Sequence, residues 1–427
     1  MLDMKFLREN VEAVRRGIQR KGEEDCLEAL LEADRQRRTA IEEADALKNR
    51  RNVLSKEVIR KAKTGDDVGP LKDESREIGQ RIELLDQKRR DFDEKQRRLL
   101  LTIPNLPHPS VPEGHGSESN RLVREAGSKP TFDFRPKNHV ELGEILGILD
   151  FPRATKIAGS GFPLYRGAGA TLERALLNFM LDRHLATGRY REVMTPFVAN
   201  SVSMTGTGQL PKLAADMYYC AEDDLYLIPT AEVPITNMHR DEILREQDLP
   251  ICYCGYSPCF RREAGSYGKE TRGFLRVHQF NKVELVKFVL PETSYDELEA
   301  LLADATAILD KLEIAYRVME LCTGDLSFAA AKCYDVEVWS PAEEKWLEAS
   351  SCSNFEDFQA RRAQIRFRRE NTGKAEFVHT LNGSGLATSR LMVALLERYQ
   401  TDEGTIRVPD VLKKYTGFGH ITAEGGR

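Results

Sequence analysis

The chain has 427 residues, of which 41% are hydrophobic and 31% charged, with a formal net charge of -5. This length suits roughly two or three domains with a sizeable core, and the acidic balance excludes a protein that coats nucleic acid along its whole surface, while leaving room for one local basic element. No run approaches the ~20 apolar residues that span a bilayer, and the start MLDMKFLREN has neither an apolar signal core nor an Arg/Ser-rich transit character, so the sequence reads as soluble and cytoplasmic.

From Leu27 to Leu101 the chain is rich in Arg, Lys, Glu, Leu and Ala, with one break at TGDDVGP, Thr64 to Pro70. Gly65, Gly69 and Pro70 there stop one helix and start another. Beyond the break Leu71, Ile78, Leu85, Phe92 and Leu99 recur every seven residues, with Ile82 on the same face; before it Ala33, Ala40, Leu47 and Leu54 do the same. Heptads on both sides of a tight turn predict an antiparallel coiled-coil hairpin. Ser75, Arg89 and Gln96 in the alternate seam make its interface thin, so the hairpin is expected to project into solvent. Lys48 to Arg98 holds sixteen Lys/Arg against eleven Asp/Glu, a local net of +5. Such charge fits a solvated coiled coil, and equally an arm lying along a nucleic-acid backbone.

Pro104, Pro107, Pro109 and Pro112, with Gly114 and Gly116, form a linker, giving a division into residues 1–103, a linker 104–130 and a second domain 131–427. Ala170 to Gly188 is an amphipathic helix stopped by Gly188, and Tyr295 to Leu312 is another. YREVMTPFV, DLYLIPT, QFNKVELVKFVL, YRVMEL and YDVEVWS are strands by their β-branched and aromatic content. The order predicts an α+β domain on an antiparallel sheet flanked by helices. Cys252, Cys254 and Cys259 lack the paired CxxC spacing of structural zinc and read as reduced thiols.

Three stretches carry chemistry. REVMTPFV reads as a strand closing in Pro196, ordinary by itself. FRREAGSYGKETRGFLRVHQFNKVE, Phe260 to Glu284, places Arg261 and Glu263 two apart on a strand, then Gly265, Gly268 and Gly273 in a loop with Arg272, followed by Arg276, His278 and Phe280. Guanidinium forks suit phosphate, aromatic faces suit a base, and glycines let a loop fold over a ligand. TLNGSGLATSRLMVALLERYQ runs glycines into a helix bearing Arg390, either as plain packing or as a turn offering N–H groups to an anion.

Together these resemble the three signature motifs of class II aminoacyl-tRNA synthetases, and more closely the bacterial-type seryl-tRNA synthetases. The resemblance covers nearly the whole chain and includes TAE (Thr230 to Glu232), CTGDLSFAA (Cys322 to Ala330) and EASSCSNFEDFQARR (Glu348 to Arg362). It implies a class II catalytic domain that makes seryl-adenylate and then charges tRNA(Ser), and tRNA(Sec) as well. In it Arg261 would hold the ATP α-phosphate and the serine carboxylate, Glu263 the adenine amino group, and Phe280 the adenine face. Arg390 would sit on the other adenine face or near the γ-phosphate, with Arg276 a further phosphate contact and the Val277 backbone against the nucleotide. Arg262, Ala349 and Ser350 join the nucleotide contacts, and Glu348 and Ser351 would coordinate Mg2+. Thr230 and Glu232, with Ala231 between them, would take the serine ammonium; Glu284 and Ser384 would meet its hydroxyl, supported by Asn382.

This allocation is physically coherent. A carboxylate attacking the α-phosphorus needs in-line placement and charge neutralisation, which arginine and Mg2+ supply, and no protein nucleophile. A buried Glu284 bonded to the substrate hydroxyl would reject alanine by ~10⁴-fold or more. The resemblance also makes the basic hairpin an arm for the long variable arm of tRNA(Ser), reading shape and backbone, and implies a homodimer with the Pro196 motif at its interface. The chain departs from the general class II pattern at Ser389, which stands where a glycine precedes the motif-three arginine. Divergent archaeal seryl enzymes hold a catalytic zinc; TAE occupies that region here and no zinc is expected. Two alternatives are weighed: a class II paralogue that adenylates an amino acid for a carrier protein, against which the hairpin counts, and a non-catalytic paralogue, against which Arg261, Glu263, Glu284 and Arg390 count.

Overall fold

In the computed structural model, which describes residues 1–264 and 273–426, helix α1 (Leu27–Thr64) stops where Gly65 turns left-handed at φ 80° and returns its N–H to the Lys61 carbonyl. Glycine takes that conformation without a Cβ penalty. Pro70 lies in the first turn of α2 (Gly69–Leu100), where its missing N–H breaks no helical bond. Ion pairs join Arg37 to Asp93, Lys48 to Asp86 and Arg50 to Glu74. Partner numbers fall on α2 as they rise on α1, so the hairpin is antiparallel, as the heptads predict. Its seam packs Ala40, Ala44 and Leu47 on Leu85, then Leu54 on Ile78 and Ile82. Phe92 and Leu99 are only half-buried, and Gln96 donates to Asp34 Oδ1 at 2.7 Å, so a polar seam residue is paired within the hairpin.

The chain divides into two units, Met1–Gln19 with Glu23–Pro104 and Arg20–Gly22 with Asn105–Arg427. The second is built on an eight-stranded sheet: β1 (Arg121–Ala126), β2 (Arg191–Glu192), β3 (Ile251–Phe260), β4 (Gln279–Val289), β5 (Tyr316–Glu320), β6 (Lys332–Ser340), β7 (Lys345–Asn354) and β8 (His379–Ala387). The spatial order is β1-β5-β6-β7-β8-β4-β3-β2. Every neighbouring pair is antiparallel except β2 on β3. Residues 121–126, within the stretch read as a linker, thus form an edge strand.

Helices α3 (Ala168–Leu185), α5 (Ser294–Lys311) and α7 (Thr388–Arg398) cover one face of this sheet; α4 (Glu232–Asn237) and α6 (Phe358–Ala363) are single short turns of the chain that matter below. In α5, Leu298, Leu301, Leu302, Ala305, Ile308 and Leu309 fall at helical spacing and are buried. They meet Leu172 and Leu176 of α3, Leu391 and Leu395 of α7, and Val283 and Leu285 of β4 in one core. Strand side chains alternate, so Lys282 and Glu284, one step out of register with that core, face the other side.

Three expectations need correction. YREVMTPFV contributes only Arg191–Glu192 to the sheet; Pro196 lies beyond it, before a short strand Val198–Asn200 that pairs in a separate small sheet with Leu225–Leu227 from DLYLIPT. Arg261 and Glu263 follow the end of β3 instead of lying on it, and Glu263 takes a left-handed φ of 49°, so strand alternation does not relate them. The glycines of TLNGSGLA lie within β8, which runs directly into α7. A Cβ on Gly385 would stand 2.5 Å from His184 Nε2, so this glycine serves close packing of strand on helix, the plainer of its two readings.

Candidate active site

On the face opposite the helices, a cavity of about 600 Å³ opens over β4, β7 and β8, within the range of small-molecule sites. One end is cationic and aromatic. The Arg261 guanidinium lies 5.2 Å from the Phe280 ring centroid, while its Nε donates to the Pro229 carbonyl at 3.4 Å. Arg276 Nε donates to Glu263 Oε2 at 2.7 Å. Arg390, in the first turn of α7, donates from Nη1 to the Glu348 backbone carbonyl at 2.9 Å and to its Oε2 at 3.1 Å, and from Nε to the Leu275 carbonyl at 3.2 Å. The neighbouring residue Phe274 is held in turn, its N–H donating to buried His139 Nε2 at 3.1 Å. The backbone that seats Arg390 is therefore itself anchored.

The other end is acidic and buried. Glu284 is 1% exposed and Lys282 5%; the two are ion-paired. Lys282 Nζ donates to Thr230 Oγ1 at 2.9 Å, and Thr230 Oγ1 donates to Glu284 Oε2 at 3.2 Å. Ser384 stands directly across from Glu284 in the β8–β4 register, and its carbonyl accepts the Ser350 hydroxyl at 2.7 Å. Glu232, at the start of α4, accepts from Gln359 Nε2 at 2.6 Å. Gln359 is oriented by donating to the Thr207 carbonyl at 3.1 Å and accepting from Thr380 at 2.8 Å. Burial, and next the charge of Glu284, push the Glu232 carboxyl up to about 7.

Glu348 and Ser351 both line the cavity. Asp335 is the cross-strand neighbour of Ser351 on β6, and burial together with the nearby Glu348 charge holds its carboxyl well above the usual carboxylate range. A carboxylate, a hydroxyl and an acidic neighbour are hard oxygen donors of the kind Mg2+ takes alongside nucleotide phosphates. Among the described residues no group of three or more His, Cys, Asp or Glu is placed to hold a metal alone.

Most residues singled out from the sequence line this one cavity: Arg261, Glu263, Arg276, Phe280, Glu348, Ala349, Ser350, Ser351 and Arg390, with Thr230, Glu232, Glu284, Asn382 and Ser384. Three do not. Arg262 turns outward, over the Tyr218 ring at 5.9 Å, and the side chains of Val277 and Ala231 are buried in cores. Arg272, Gly265 and Gly268 lie outside the described residues. Sequence reading missed Lys282 and Gln359. Lys282 was within reach, because it sits two residues from both Phe280 and Glu284 on a strand; Gln359 lies within the quoted EASSCSNFEDFQARR stretch, but its pairing with Glu232, 127 residues away, has no local signature.

Two family models match the chain, the seryl-tRNA synthetase N-terminal domain over residues 1–107 and the tRNA synthetase class II core domain (G, H, P, S and T) over residues 218–399. A serine–tRNA ligase of Chloroherpeton thalassium is 59% identical over 423 residues, 98% of this chain and 99% of that protein. The chain belongs to the seryl-tRNA synthetase family. Another relative, the serine–tRNA ligase of Geobacter sulfurreducens, is 55% identical across 98% of this chain and 99% of its own length. Among solved structures of seryl-tRNA synthetases, that of Pyrococcus horikoshii complexed with ATP superposes with a TM-score of 0.94 at 40% identity, covering 99% of both chains. The cytoplasmic enzyme of Naegleria fowleri in complex with AMP gives 0.88 at 30% identity, again over 99% of each. Among the described residues no helix is long and apolar enough to cross a membrane.

Proposed function

We propose that this seryl-tRNA synthetase family member is an ATP-dependent, AMP-forming serine–tRNA ligase. It joins L-serine to ATP as seryl-adenylate with release of pyrophosphate, then passes the seryl group to the 3′ end of tRNA(Ser), and of tRNA(Sec). The observation that carries the reading is the position of Arg261. Its guanidinium touches both ends of the cavity, packing on Phe280 and bonding the Pro229 carbonyl beside Thr230, so a phosphate and a carboxylate could meet on it.

In this reading Phe280 stacks on adenine and Glu263 takes its amino group, while Arg276 and Arg390 hold the outer phosphates. Glu232 binds the serine ammonium and Glu284 with Ser384 its hydroxyl, which orients the serine carboxylate toward Arg261. The carboxylate oxygen attacks the α-phosphorus, and the bond to the departing pyrophosphate breaks as its charge spreads onto the arginines. Mg2+, held by Glu348 and Ser351, would supply further neutralisation of phosphate charge when bound. No zinc is assigned. Residues 1–103 serve as the tRNA arm, and residues 131–427, with the edge strand 121–126, as the catalytic domain of a cytoplasmic homodimer.

Charging of purified tRNA(Ser) by the full-length protein tests this. Serine attached to tRNA with AMP formed supports it. Serine-dependent pyrophosphate exchange without tRNA charging would point to the carrier-loading paralogue, and neither activity to the non-catalytic one.

A further inference from the structure

The two carboxyls at the acidic end are unlike each other in their partners. Glu284 faces a cation, Lys282, whose side chain is 7% exposed. Glu232 makes no ion pair among the described residues, and its side chain is hydrogen-bonded by the neutral amide of Gln359. Thr230 completes the asymmetry. Its hydroxyl oxygen accepts from Lys282 Nζ and from the Glu232 backbone N–H at 3.2 Å, so its one proton goes to Glu284. Both contacts on Glu284 fall on Oε2, and among the described residues Oε1 takes none. Neighbouring buried carboxyls with unlike partners take unlike protonation states and unlike roles.

We propose that Lys282 is a specificity-determining residue of the serine pocket, one that divides the work between the two carboxyls. Resting on the serine-activating reading above, it neutralises Glu284, which thereby becomes an acceptor for the substrate's uncharged hydroxyl through Oε1. Glu232 remains the carboxyl that lacks a cation, and the substrate ammonium supplies it. The raised affinity of Glu232 for a proton fits this, because an uncompensated carboxylate beside Glu284 takes up a proton when no ammonium is bound. The charged groups facing Glu232 are Glu284, Lys282 and Arg261. The Cys259 thiol on β3 lies on the Glu284 side of the sheet, while those of Cys254 and of Cys352 on β7 lie in the core on the other side yet feel the Glu284 charge; burial pushes all three up, so they remain neutral.

The test is serine-dependent ATP–pyrophosphate exchange across pH, with alanine as competitor, for the full-length protein and its Lys282→Met, Lys282→Arg and Lys282→Met/Glu284→Gln variants. Leaving Glu284 buried without its cation should raise the serine KM on the order of 100-fold while the ATP KM stays put. The acid limb of kcat/KM should also move to higher pH, since loss of the Lys282 charge leaves that of Glu284 to raise the proton affinity of Glu232 further. Lys282→Arg should restore both. The double variant balances charge again and keeps the proposal testable where Lys282→Met does not fold; it should return the acid limb to its wild-type position but lose preference for serine over alanine. A Lys282→Met enzyme with the wild-type serine KM and acid limb overturns the proposal, as does an equal rise in the KM values for serine and ATP, or a double variant with undiminished preference for serine. Failure of the wild-type protein to exchange with serine would instead overturn the ligase reading.

Discussion

Glu232 receives one hydrogen bond from a neutral amide in a buried pocket, and its carboxyl is pushed up to about 7. An ammonium binds its ionised form. As pH falls through about 7 the group gains a proton, and the KM for serine should rise by up to tenfold per pH unit; a serine KM flat across that range in exchange assays would contradict this. The sign for stability is opposite: a carboxyl whose folded pKa exceeds its unfolded one favours the fold at low pH, and that contribution is lost as pH rises from the ordinary carboxyl value to about 7. Arg261→Ala should reduce exchange by roughly 10³-fold or more while far-ultraviolet circular dichroism is unchanged; near-normal exchange would move the phosphate grip to another residue. At this scale the charged residues of FRREAG, HQFNKVE and TAE were legible because buried or clustered charge needs a chemical reason. The pairing of Arg276 with Glu263 was not, because β3 ends at Phe260 and a left-handed Glu263 breaks the alternation.

The passage from β8 into α7 holds Asn382 and Ser384 on a strand and Arg390 in the first helical turn. Its glycines looked like a turn because glycine most often marks one; tertiary packing against His184 decided otherwise, and no local signal reports a helix that lies 201 residues away in sequence. Gly385→Ala should therefore cost about 1–3 kcal/mol through overpacking and disturb the neighbouring Ser384. Urea unfolding would show the lowered midpoint, and a wild-type midpoint would mean that His184 yields without strain. The long elements were the most legible. Heptads located both hairpin helices, and the alternation of KVELVKFV located β4, because both signals are local and repeated. The short strands near Pro196 were misread because two or three residues carry too little pattern to define pairing.

The whole molecule joins a helical hairpin whose Lys48–Arg98 stretch carries a local net charge of +5 to a catalytic unit in a chain of -5 overall. If the hairpin serves tRNA alone, deleting residues 27–101 should leave serine-dependent exchange intact and abolish tRNA(Ser) charging, and equal charging by the shortened protein would defeat the arm assignment. Phosphate contacts release counterions, so raising salt should weaken charging of tRNA far more than it weakens serine exchange. Fold class and reaction could be read from the residues and their family resemblance, whereas the partition of charge inside the pocket emerged only once strands remote in sequence lay side by side.

The most direct test is a crystal structure with a nonhydrolysable seryl-adenylate mimic. Adenine should lie on Phe280, the phosphate mimic on Arg261, the ammonium within hydrogen-bonding distance of Glu232 and the hydroxyl on Glu284. A mimic bound outside the cavity, or one reversed so that its ammonium meets the arginine end, would contradict the account.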